Sequence, residues 1–315
     1  MTFQNWIFSE YAEIGISNNL NGAWKLPHIL VLLLTIGITV AIALLLRKKS
    51  ERVRYTTIFA ITFLILLCEL SRRSILFVKA DSYGEKLYAA DLLWIILPRP
   101  WCAISCWLLI ASPFVHKKWF YNFTAMNAFL CALIFFAYPT AAGFNSKIYL
   151  FENYYSIITH MLLMIGSVSL ITLKMTDFKY VEEGGTWKKS ALRELIALVC
   201  VFLYATILVV SNIEKNPLYF MPTGDYVLNG SKVHIANDVM DIVGLPSGLF
   251  LIVYALFLAF YFNLYYLIQN RTQTVAFFKS VVGKVKGLFV KKVAETQETE
   301  EAAETVETQG ATNQE

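Results

Sequence analysis

Charge is scarce in this sequence: Asp, Glu, Lys and Arg together make up 16% of its 315 residues, against about 25% in a soluble domain. That shortage excludes an ordinary soluble enzyme. The five cysteines, Cys68, Cys102, Cys106, Cys131 and Cys200, all lie in apolar stretches, with no CxxC and no histidine at zinc spacing. Neither a disulfide framework nor a metal site is expected. No glycine-rich phosphate loop and no repeat of fixed period occur, so the sequence points to no cofactor. The first residues, MTFQNWIFSEYAEIG, lack a basic segment ahead of an apolar core, so the expectation is no cleavable signal peptide and a first span that directs insertion itself. What the chain has in abundance is apolar surface: 57% hydrophobic and 15% aromatic residues, with several runs long enough to cross a bilayer. The expected class is all-α, a polytopic helix bundle of the cell membrane.

Windows of about 19 residues give seven expected spans: Pro27 to Leu46, Tyr55 to Val78, Leu92 to Val115, Trp119 to Ala142, Tyr154 to Leu173, Ala191 to Ile213 and Leu245 to Ile268. Pro98 and Pro100 interrupt the third. A proline there frees backbone carbonyls, which predicts a kink or a re-entrant start. Positive charge sets the direction. The connection Arg47 to Arg54 carries five Lys or Arg, the third contains Lys117 and Lys118, the fifth carries four and the stretch from Arg271 to Lys292 carries six. The segment before the first span and the fourth and sixth connections hold only Lys25, Lys147, Lys215 and Lys232. The N-terminus is therefore expected outside and the C-terminus in the cytoplasm.

The expected organisation is a bundle over residues 1–270, a basic amphipathic helix over 271–293 lying on the inner leaflet or merely tethered beside it, and an acidic tail over 294–315. That tail has seven glutamates and no Lys or Arg, too little apolar surface to fold. The formal net charge of +4 averages these local clusters and does not suggest nucleic acid as a partner.

Ionisable groups at membrane depth are the informative residues, because each is costly unless paired or wetted. On the second span, Glu69 can pair with Arg72 at i, i+3 or with Arg73 at i, i+4. Such a group is either a structural ion pair or a cationic site for a lipid phosphate or another anion. His160 lies well inside the fifth span, and Cys102 is placed at a comparable depth of roughly 12 to 15 Å from the same side. Each has a plain structural role open to it, a bond to a neighbouring helix for the histidine and packing for the thiol. Cys106, one turn further, is the weaker thiol candidate. Asn212, Asn216, Tyr219 and Pro222 gather beyond the sixth span, where they either cap helices or stand over the same half of the bundle.

The runs LPRPWCAISCWLL (97–109), NYYSIITHMLLM (153–164), SNIEKNPLYFMP (211–222) and GLPSGLFLIVY (244–254), with His28 opening the first span and TWKKSALRELI leading into the sixth, resemble in order and spacing the YwaF-like integral membrane proteins of bacteria, relatives of human transmembrane protein 164. The resemblance covers the chain to about residue 270. It implies a lipid acyltransferase using a cysteine and a histidine, roles that fall on Cys102 and His160, with phospholipid and lysophospholipid as substrates. The polar groups read above, Arg72, Arg73, Asn212 and Tyr219, are the candidate substrate-binding residues. The chain departs from the family pattern, which resembles LPLHLC, in having Pro100 at the histidine position and Arg99 before it. A non-enzymatic transporter or lipid-binding protein on the same bundle is the alternative.

Overall fold

The computed structural model describes residues 24–82, 89–98, 101–137, 151–178, 187–211, 225–228, 231–234, 247–284 and 287. Its helices are α1 (Leu26–Leu46), α2 (Glu51–Ser82), α3 (Ala89–Ile96), α4 (Trp101–Val115), α5 (Lys118–Ala137), α6 (Phe151–Thr172), α7 (Trp187–Val210) and α8 (Ser247–Gln269). Between α7 and α8 stands a short antiparallel hairpin, β1 (Asp225–Leu228) against β2 (Ser231–His234), in the register Asp225↔His234. Four of the helices are long and apolar enough to cross a membrane: Leu26–Leu46, the Glu51–Val78 part of α2, Lys118–Ala137 and the Tyr154–Thr172 part of α6. The apolar run around Pro98 is not one helix. It divides into α3 and α4, as a proline that can neither donate a bond nor tolerate the preceding turn dictates.

Burial is inverted relative to a soluble bundle. On α1 the buried residues are His28, Thr35 and Thr39, while Leu30, Leu33, Leu34 and Leu44 are exposed. On α2 the buried set is mixed, Thr62, Glu69 and Arg73 with Ile58, Ile61 and Ile65, while Phe59, Phe63, Leu67 and Leu70 face outward. Apolar side chains outward and polar ones inward is the arrangement that a hydrocarbon solvent selects. The inward hydroxyls are satisfied locally: Thr35 Oγ1 donates to the Val31 carbonyl and Thr39 Oγ1 to that of Thr35, each at 2.7 Å.

At the centre lies α5, buried from Tyr121 through Ala128, with α4, α6 and α7 packed around it. From α8, Phe262 stacks on Phe123 at 5.0 Å between centroids, and the Tyr261 hydroxyl donates to the Met126 carbonyl at 2.9 Å. Gly166 of α6 allows the closest approach: a Cβ there would stand 3.3 Å from Leu109 Cδ1 of α4 and 3.4 Å from Ile61 Cγ2 of α2.

One end of this bundle is fastened by cations. α6 finishes in a Schellman motif, with Lys174 at φ 61°, Met175 N bonded to the Leu170 carbonyl at 2.9 Å and Lys174 N to that of Ile171 at 3.1 Å. Arg54 Nη1 reaches the Leu173 carbonyl at 2.7 Å and Lys118 Nζ that of Met175 at 3.0 Å, where the helix dipole favours positive charge. Asn122 closes the junction by exchanging two bonds with the Asp177 backbone at 3.0 and 3.1 Å. The starts of α2 and α5 and the end of α6 therefore meet at one end.

The chain divides into two units, the first ending at Asn263 and the second beginning at Leu264. In the second, residues 271–284 are helical, Thr274 Oγ1 bonds the Asn270 carbonyl at 3.0 Å, and Val275, Phe278, Val281 and Val282 are exposed. The acidic tail, residues 294–315, lies outside the described residues.

Candidate functional site

Glu69 of α2 is fully buried, so its carboxylate needs partners from within the protein. The spacing had left two choices, and the structure selects Arg73, one turn on: Arg73 Nη1 bonds Glu69 Oε2. The other oxygen, Oε1, accepts the hydroxyl of Tyr155 from α6. Arg73 also donates from Nε to the Ile96 carbonyl at 3.2 Å, which caps the end of α3, and its Cζ stands 5.1 Å above the Trp107 ring of α4. Its remaining nitrogen, Nη2, is buried without a hydrogen-bond partner among the described residues. Arg72 turns toward the same tyrosine, its Cζ 5.5 Å from the Tyr155 ring centroid. Two helices thus meet at the carboxylate, and Arg73 extends the group to α3 and α4.

All five cysteines are free. Cys102 is half-buried, whereas Cys106 and Cys131 are buried. Ser105 fixes the state of Cys131: its hydroxyl donates to the Trp101 carbonyl at 2.9 Å and accepts from Asn127 Nδ2 at 2.7 Å. With its single proton so used, the 3.0 Å contact to Cys131 Sγ is a bond that the thiol donates. Cys131 is thereby held as a thiol and sealed away.

His160 belongs to a different neighbourhood. It follows Tyr155 by five residues, a rotation of about 140° around α6, so it faces α5 where Tyr155 faces α2. Its ring stacks on Phe135 at 3.9 Å between centroids and 11° between planes. Phe135 meets Phe136 edge-on at 5.2 Å, and His28 of α1 stacks on Phe136 at 6.4 Å. Two histidines bracket a phenylalanine pair. His160 Nδ1 lies 2.7 Å from the Ser156 carbonyl, and because a carbonyl only accepts, that nitrogen carries the proton and Nε2 the lone pair. Among the described residues no hydrogen bond joins Cys102 to His160.

Of the residues singled out in the sequence, Arg73 bonds Glu69 and Arg72 stands over the Tyr155 ring whose hydroxyl Glu69 accepts, while His160 turns toward Phe135. Asn212 and Tyr219 lie outside the described residues. Tyr155, Trp107, Ser105 and Asn127 were not singled out. Tyr155 was open to discovery as a polar tip one span-turn from a histidine in NYYSIITHMLLM, but a tyrosine near a span end reads first as an interface residue. No group of three or more His, Cys, Asp or Glu able to hold a metal ion occurs among the described residues. No family model, no curated protein and no solved structure matches the chain.

Proposed function

We propose that the chain is a seven-span protein of the cell membrane, of the YwaF-like type, with its N-terminus outside and its C-terminus in the cytoplasm, and that it handles phospholipid at the group formed by Glu69, Arg72, Arg73 and Cys102. The orientation is supported by the meeting of Arg54, Lys118 and the Leu173–Asp177 segment at one end of the bundle, because the most basic connections then share one side of the bilayer. The observation that carries the function is a fully buried carboxylate whose guanidinium partner keeps one nitrogen, Nη2, without a hydrogen-bond partner among the described residues. A phosphate oxygen supplies the missing acceptor.

The half-buried Cys102 thiol is the nucleophile of the acyl-transfer reading. Its proton passes to His160 Nε2, the sulfur attacks an acyl ester carbonyl, and the lysophospholipid leaves as its alkoxide takes that proton back. The hydroxyl of a second lysophospholipid then attacks the thioester and restores the thiol. This requires the thiol and imidazole to approach each other when lipid binds. A second reading, lipid binding without chemistry, is favoured by the stacking of His160 on Phe135 and its bond to Ser156.

Purified protein in nanodiscs, incubated with acyl-labelled diacyl phospholipid, separates the two. The acyl-transfer reading expects a hydroxylamine-labile label on Cys102 that Cys102→Ala abolishes. Retained lipid with no such adduct leaves binding alone, and neither adduct nor retained lipid contradicts both.

A further inference from the structure

Away from the Glu69 group, α4, α5 and α7 enclose a cavity of about 730 Å³. Its walls are almost wholly apolar, yet two cations line it: Lys117, in the turn between α4 and α5, and Arg193, near the start of α7. On α7 the lining residues Arg193, Ile196, Ala197, Cys200, Val201 and Tyr204 recur at i, i+3, i+4, i+7, i+8 and i+11, one continuous stripe of the helix. From Arg193 to Tyr204 that stripe rises about 16 Å, half of a hydrocarbon core roughly 30 Å thick.

Three properties of the cavity fit one kind of occupant. Its length matches the acyl region of a single leaflet. Ile196 and Cys200 are both lining and exposed, so it opens sideways along a face of α7 that also presents Leu192, Val199 and Leu203 outward. Its charge lies at one end only, beside Trp119, a residue suited to headgroup level. At the other end the Tyr204 hydroxyl is spent on the Pro98 carbonyl at 3.1 Å, which leaves the ring to face an alkyl chain.

We propose that this cavity is a binding site for an anionic phospholipid of the inner leaflet, with the headgroup phosphate between Lys117 and Arg193 and an acyl chain along the α7 stripe to Tyr204. Calling the leaflet inner rests on the orientation proposed above; the site rests on the cavity and its two cations. It is separate from the Glu69 group, which its lining does not include. Lys117 immediately precedes Lys118, which fastens the end of α6, so lipid held there also braces that junction.

The test uses the full chain in nanodiscs with phosphatidylglycerol or phosphatidylcholine carrying a diazirine in the acyl chain, followed by peptide mapping. Cross-links are expected on residues 196–204, stronger with phosphatidylglycerol. The exposed Lys117→Gln should lower phosphatidylglycerol labelling about fivefold, the weight of one basic residue toward anionic lipid, and leave phosphatidylcholine labelling unchanged. Cys200→Trp, which fills the cavity without touching a charge, should remove labelling by both. Equal labelling by the two lipids, labelling indifferent to Lys117→Gln, or no cross-link on α7 would overturn the proposal. Since nanodiscs expose both faces, these outcomes do not depend on orientation, whose failure would show only in labelling of intact cells.

Discussion

Tyr155 on α6 donates its hydroxyl to the buried carboxylate of Glu69 on α2, opposite the Arg73 guanidinium that holds the other oxygen. One carboxylate thus joins two helices 86 residues apart in sequence. Tyr155→Phe leaves Glu69 Oε1 short of a donor and is expected to cost about 1 to 3 kcal/mol. Arg73→Ala leaves a buried charge uncompensated and should cost about 3 to 5 kcal/mol, whereas Glu69→Leu combined with Arg73→Met should cost markedly less than Arg73→Ala alone. Thermal unfolding in mild detergent ranks the three. A double variant as unstable as Arg73→Ala would show that the pair is not the relevant unit.

Glycines in two helices offer a matched comparison. A Cβ at Gly166 would meet Leu109 and Ile61, while one at Gly37 of α1 would meet nothing within 4 Å. Gly166→Leu should destabilise by about 1 to 3 kcal/mol through overpacking, and Gly37→Leu should be neutral or slightly stabilising. Equal losses in thermal stability would mean that α6 does not press between α2 and α4.

Lys174 holds a left-handed conformation that a glycine adopts without steric cost. Lys174→Gly should therefore stabilise by roughly 0.5 to 1 kcal/mol, the relief of strain less the added freedom of the unfolded chain. Lys174→Val should do the opposite. The melting temperatures of the two variants check the Schellman ending of α6.

Much of this was legible in the sequence, for physical reasons that differ by residue. Apolar runs marked the helices because hydrocarbon demands them, and Pro98 marked the break between α3 and α4 because it lacks an N–H. Glu69 with Arg73 followed from the i, i+4 rule, although the same rule admitted Arg72 at i+3. The direction of His160 was not legible: depth along a span can be counted from its end, but rotation toward Phe135 rather than Cys102 depends on which helices flank α6. The β1–β2 hairpin was also missed. Its signal is Asn229-Gly230 between the strands, the strongest short hairpin cue, which a reading of hydrophobic windows does not register.

Orientation can be read on intact cells. Single cysteines introduced at Asn18 and at Thr308, in a background with the native cysteines removed, should label with an impermeant maleimide only at the first position. Labelling at Thr308 would invert or break the seven-span arrangement.

Cys102 and His160 carry the central claim, and phospholipid acyl transfer in proteoliposomes tests it most directly. Cys102→Ala and His160→Ala should each abolish transfer with folded yield preserved, the double variant should be no worse than either single one, and Cys106→Ala should have little effect. Transfer that persists in Cys102→Ala, single losses that multiply in the double variant, or no transfer by the unaltered chain would contradict the account.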